Sequence, residues 1–320
     1  MKLFHSLLYP LLGGLFCLSC SDDEQDAGTK QPAITGEVTF GVDLTGFSTR
    51  VTQDGSSWND GDKSGTYVLD MKTLEPVTEA ANVPYVCSEE GASVSFTSTT
   101  PLKVQNDGTP VKFVAYYPYN ADIRDFNYPV QLAAQERGST ACDLLYAATN
   151  EEYTYAPENE PHIALNFSHR LAKVILKFVD LEKNPLEVSN VRIEGMQTEA
   201  SFNVQTDVLT VDESSVATIT PYHNATTGFY EAIILPTALK DSYKVSFVLD
   251  DREKEWIFTN LDIALPQFHK GYSYTFALYI DDSGFVEMGR LENVDGGNSS
   301  APWEDGSSED GTAEGDKGTS

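Results

Sequence analysis

The chain has 320 residues and carries 49 acidic against 21 basic side chains, a formal charge of −28. Carboxylate excess on that scale disfavours nucleic acid as a partner and repels anionic membrane surfaces. The length suffices for two domains, each with its own core. Met1-Lys2 supplies a minimal positive start, and Leu7 to Leu18 is mostly Leu, Gly, Phe and Cys. This apolar run is short for a bilayer span and has the length of a signal-peptide core. Ser19 is the small residue a cleavage site needs, so residues 1–19 read as a signal peptide and Cys20 as a lipobox cysteine. Acyl chains on Cys20 would hold the mature chain to the outer membrane by burying methylenes in lipid. An ordinary secretory peptide is the alternative, and Cys17 stands where Leu is usual in a lipobox. Residues 20–35, with Asp22, Asp23, Glu24 and Asp26, read as an acidic tether.

From Gly36 onward the signal is β. Val38, Phe40, Val42 and Leu44 alternate with Glu37, Thr39, Gly41 and Asp43, the period-two pattern of a half-buried strand. Further strands are expected at 65–71, 93–98, 111–117, 171–179, 188–194, 229–235, 243–249, 255–259 and 272–280. Turn pairs such as Asp54-Gly55, Asp60-Gly61 and Asp250-Asp251 punctuate them. Residues 130–136 could form a turn or two of helix at most. The pattern predicts an all-β protein built as sandwiches. Pro157 and Pro161 bracket an acidic stretch, which places a boundary between an N-terminal domain at 36–161 and a C-terminal domain at 162–303. Residues 304–320 are almost purely Gly, Ser, Thr, Glu and Asp, a composition that cannot offset its ordering entropy and reads as a disordered acidic tail.

The residues offer little chemistry. His162, His169, His223 and His269 show no metal-ligand spacing, and there is no phosphate loop or nucleophile elbow. The expectation is no metal, no cofactor and no enzyme. His169 reads as a hydrogen-bonded strand-end residue. Asp60, Asp62, Ser64 and Gly65 resemble the start of a calcium loop, but Met71 stands where a bidentate Glu belongs, so a polar turn feeding a strand is expected. Cys87 and Cys142 could pair in an exported protein, which in the chain-entropy model stabilises by about 4 kcal/mol; the alternative is two thiols acting as small apolar side chains. Tyr116, Tyr117 and Tyr119 around Pro118 could form a sugar-binding patch, but strand residues with a wet tip fit them better.

Five segments, WNDGDKSGTY (58–67), FVAYYPYN (113–120), DLLYA (143–147), NFSHRLAKVILKF (166–178) and ALPQFHKGYSYTFAL (264–278), resemble the FimA/Mfa-like fimbrillins, subunits of type V pili. Ala301-Pro302-Trp303 fits the same resemblance, which covers most of residues 36–303. It implies two tandem transthyretin-like β-sandwich domains and export as a surface lipoprotein. It also implies cleavage by an Arg-specific protease near the first strand, for which Arg50 is the matching residue. Loss of the strand holding Val38, Phe40, Val42 and Leu44 would open a groove, to be filled by a donor strand from another fimbrillin subunit in the fimbrium. Residues 304–320 lack the alternating apolar residues a donor needs, which leaves 285–294 (FVEMGRLENV) as a mediocre candidate. The alternative is a surface lipoprotein that never polymerises and binds glycan or another host ligand.

Overall fold

The computed structural model describes residues 35–37, 39–42, 57–77, 81–91, 94–105, 107–135, 138–149, 152–154, 162–240, 242–249, 254–258, 267–280, 286–291 and 304–305. Among these the fold is all-β, with one 3-10 turn at Ser139–Cys142. The first half supplies β1 (Thr35–Glu37), β2 (Thr39–Val42), β3 (Lys63–Asp70), β4 (Val83–Cys87), β5 (Val94–Thr97) and β6 (Lys103–Gln105). It continues with β7 (Val111–Tyr117), β8 (Asn127–Gln131), β9 (Leu145–Ala148), β10 (His162–Ala164) and β11 (Ser168–His169). An eight-stranded sheet runs β10-β2-β5-β4-β3-β7-β9-β11, and β1 pairs separately with β6. Trp58, Tyr85, Phe96, Phe113, Leu145 and Phe167 lie among the buried residues of its core.

The second half supplies β12 (Ala172–Val179), β13 (Val188–Gln197), β14 (Glu199–Asn203), β15 (Val208–Val211), β16 (Val216–Ile219) and β17 (Tyr222–Asn224). After these come β18 (Phe229–Ile234), β19 (Lys244–Leu249), β20 (Lys254–Phe258), β21 (Tyr272–Ile280), β22 (Val286–Leu291) and β23 (Glu304–Asp305). Sheet β17-β18-β12-β21-β22 faces sheet β16-β13-β19-β20 across a second core. Strand β12 alternates strictly between buried and half-buried positions. Its Val174, Leu176 and Phe178 meet Val245 and Phe247 of β19 and Phe276 and Leu278 of β21 in that core, the two-faced pattern of a sandwich strand.

A third core joins the halves. Tyr67, Leu69, Val114 and Tyr116 on the outward faces of β3 and β7 bury against Leu171, Phe202, Val204 and Ile233 of the second half. Strands β3 and β7 are therefore buried on both faces, which explains the nearly unbroken apolar run Phe113–Tyr117. Backbone pairing crosses the junction as well, because β8 pairs with β14 over five residues. Gln135 closes it: its Nε2 donates to Leu132 O at 2.8 Å and Ile233 O at 2.7 Å, and its Oε1 accepts from Ile233 N–H at 2.7 Å. The buried amide thus stands in for a peptide group, leaving no donor or acceptor of its own unmatched.

Three expectations change. Residues 130–135 are not helical: Val130 and Gln131 belong to β8, whose partner lies far along the chain. The first sheet continues past residue 161, because β10 and β11 belong to it and Ile163, Leu165 and Phe167 bury in its core. Glu304–Asp305, at the start of the expected tail, pairs in parallel with Tyr272–Ser273.

Candidate functional site

Within the strand expected at 38–44 the described residues form β2, and β1 precedes it in a different sheet. Among the described residues β1 pairs only with β6, placing Gly36 opposite Val104. Strand β2 lies inside the eight-stranded sheet, antiparallel to β5 and parallel to β10. Phe40 is the central register position, opposite Phe96 on one side and Ile163 on the other. Of β1 and β2 the structure describes the backbone alone.

The walls of this seat are held by bonds of their own. Trp58 is fully buried and makes edge-on ring contacts with Phe96, Tyr117 and Phe167 at 5.0, 5.3 and 5.3 Å. Its backbone exchanges two hydrogen bonds with Gly91. The Asp62 carboxylate accepts from Asn59 N–H at 2.7 Å and from the Tyr117 hydroxyl at 3.3 Å. Burial pushes its pKa up, opposed by those two hydrogen bonds. The WNDGD segment is thus a polar turn folded onto the core, as expected, with the carboxylate spent on its own loop. Next to it, Gly65 faces Tyr116 across β3 and β7. A Cβ at Gly65 would stand 2.3 Å from the Tyr116 ring, so only glycine lets that tyrosine lie flat against the sheet. The Tyr116 hydroxyl donates to Asn82 Oδ1 at 2.6 Å.

Withdrawing β2 would break two ladders together, and withdrawing β1 a third. Unpaired backbone would appear on β5, β10 and β6, beside apolar side chains of the core such as Val94, Phe96, Val104 and Ile163. Buried backbone polar groups demand partners, so an edge so exposed binds another strand readily. Vacated, such a slot has the chemistry to accept a strand. Among the described residues no cluster of three or more His, Cys, Asp or Glu could hold a metal ion.

The other residues singled out from sequence fall as follows. Cys20, Val38, Leu44 and Arg50 lie outside the described residues; Phe40 and Val42 lie in β2. Cys87 and Cys142 are free thiols, so the disulfide weighed above is not formed. They belong to different cores, Cys87 to the first and Cys142 beside the third, and Cys87 Sγ donates instead to Glu89 O at 2.9 Å. Burial pushes both thiols up. His169 is a strand-end residue of β11, buried, with Nδ1 2.9 Å from Asp143 Oδ1. Tyr116 and Tyr117 are core residues of opposite faces of β7 and form no surface patch. Most of the donor candidate is already in use: β22 is built into the second sandwich, antiparallel to β21. Strand β4, one wall of the sheet, escaped the sequence reading because Pro84 interrupts VPYVC. Its signal was the alternation of Val83, Tyr85 and Cys87, all buried.

Comparison with known proteins bears on the same residues. The fimbrillin-like family model matches residues 49–303. Over 306 residues the chain is 26% identical to Fim1C of Bacteroides uniformis, named as a candidate fimbrium subunit, covering 92% of this chain and 96% of that one. A crystal structure of a candidate cell-adhesion protein from B. uniformis shares its fold with a TM-score of 0.65 at 21% identity, covering 81% of this chain and 97% of that one. One from Bacteroides ovatus does so with a TM-score of 0.58 at 17% identity, covering 82% and 100%. The all-β architecture is therefore one found in candidate cell-adhesion proteins of Bacteroides, and the chain belongs to the fimbrillin-like family.

Proposed function

We propose that this chain is a fimbrial subunit, exported as a lipoprotein through Cys20 and activated by cleavage after Arg50. Cleavage releases β1 and β2 together with the lipid and the acidic tether. A strand from a neighbouring fimbrillin subunit then takes the vacated seat, and the assembled fimbrium supports adhesion at the cell surface. The observation that carries this reading is the position of β2, an interior strand only four residues long with a partner on each side. So short a strand adds few ladder bonds of its own, yet its removal leaves unpaired edges on both β5 and β10. The family match begins at residue 49, beside Arg50, which fits a mature subunit starting at Val51. Strand β22, held on one side by β21, supports a donor role for 286–291, since an edge strand can leave its sheet by breaking one ladder.

The experiment is an Arg50→Ala variant expressed in the native host. The wild-type protein is expected to run as a heat-labile ladder in denaturing gels and the variant as monomer. A ladder unchanged in the variant contradicts cleavage at this residue.

A further inference from the structure

The two edges of the eight-stranded sheet, β10 and β11, are joined in the chain by residues 165–167 alone. Both therefore border one seam. Among the described residues β10 pairs only with β2, and Ala148 of β9 lies beyond the last partner that β11 offers, Tyr146. An open hollow of about 840 Å³ follows this seam, walled by β9, β10, the 165–170 segment and the 205–207 hairpin tip of the second half. That volume falls within the range of small-molecule sites.

We infer that this hollow, which shares β10 with the N-terminal seat, is a binding site for a neutral, hydroxyl-rich saccharide. The chemistry of its wall narrows the ligand. Lys112 and Arg170 face Glu152 and Asp207 around it, so neither sign of charge dominates. Arg170 is already committed: its Nη2 donates to Asp207 Oδ2 at 3.1 Å and its guanidinium lies 4.8 Å from the centroid of the Tyr146 ring. A free anion therefore finds no uncommitted guanidinium. An apolar ligand would strip water from polar side chains without replacing its hydrogen bonds, at a cost of kilocalories. By contrast, the side chains of Asn166, His162, Lys112 and Glu152 line the hollow without a hydrogen bond or ion pair to any other described residue. Together with the strand edges they offer both donors and acceptors. A sugar hydroxyl both donates and accepts, so a polyol meets this mixture better than any group of single polarity. Half-buried Tyr153 adds aromatic surface for the C–H face of a ring.

The test is saturation-transfer NMR on the full mature chain with lactose, maltose, cellobiose and sialyllactose, each at ~10 mM, since weak sites of this kind bind in the millimolar range. Transfer to at least one neutral disaccharide is expected. Asn166→Ala and His162→Ala, both at exposed positions, should each weaken it by about tenfold or less, a loss of ~1.4 kcal/mol at most. Ala164→Trp, which fills the hollow from exposed β10, should abolish it without lowering the unfolding midpoint. Absence of transfer from every neutral sugar, transfer from sialyllactose alone, or binding retained in folded Ala164→Trp overturns the inference.

Discussion

At the junction between the halves, side chains from both sides interlock in a common core, and polar groups cross it in matched pairs. Phe202 is fully buried with its ring 5.5 Å from that of Tyr146. Val204 N–H donates to Phe126 O at 2.9 Å, and Gln205 Nε2 donates to Leu74 O at 2.8 Å. At the N-terminal seat, the described attachment is backbone pairing over two strands of three and four residues. The first arrangement cannot be undone piecemeal, because loosening any partner strands a buried group or opens a cavity. The second can be exchanged as a unit, since another strand reproduces the same ladders. In the proposed assembly, the contrast separates what must persist from what is replaced.

Phe202→Ala probes the permanent region and should have the largest effect. It removes a fully buried ring from the third core, costing about 3–5 kcal/mol by chemical unfolding. The two halves should still unfold together in wild type; two separate wild-type transitions would break the picture of one interlocked body. Gln135→Leu should cost about 3 kcal/mol, because Ile233 N–H, Ile233 O and Leu132 O all lose their partner in a buried setting. A loss under ~1 kcal/mol would mean that water or a shifted loop satisfies those groups, and that the junction is looser than described.

Asp180 gives the smallest effect and serves as a control touching neither region. Its carboxylate accepts from the Asn184 side chain at 2.8 Å, Asn184 N–H at 2.8 Å and Glu182 N–H at 2.9 Å. Those bonds, the Asn184 side chain foremost, hold its pKa below the ordinary carboxylate value. With the folded value depressed, its stabilisation is complete above the unfolded value and fades as pH drops through the folded one. Asp180→Asn should therefore lower stability slightly at neutral pH and leave it unchanged at pH below the folded value, flattening the acid limb of the stability–pH profile. A large change at neutral pH would assign this exposed turn a role it lacks here.

Legibility in the sequence followed the reach of the interactions. Strands β12 and β21 send their apolar face into one core, and their alternation was plain in Ala172, Val174, Leu176 and Phe178 and in Tyr274, Phe276, Leu278 and Ile280. Strand β8 was not legible: Asn127–Gln131 contains Pro129 and exposes most of its residues, and only pairing with distant β14 makes it a strand. Gln135 gave no signal, because a polar residue that is buried to replace a peptide looks like any surface glutamine. The N-terminal segment was half legible. Its alternation announced a strand, but the switch from β6 to the β5–β10 slot depends on partners far along the chain. The same applies to the hollow, whose lining residues span positions 71 to 207.

The exchangeable region is tested most directly by the intact mass and N-terminal sequence of the protein recovered from the surface of its native host. Cleavage and strand exchange predict a chain beginning at Val51, without lipid and in multimers. A full-length chain that still carries acyl groups on Cys20, recovered as monomer alone, would contradict them.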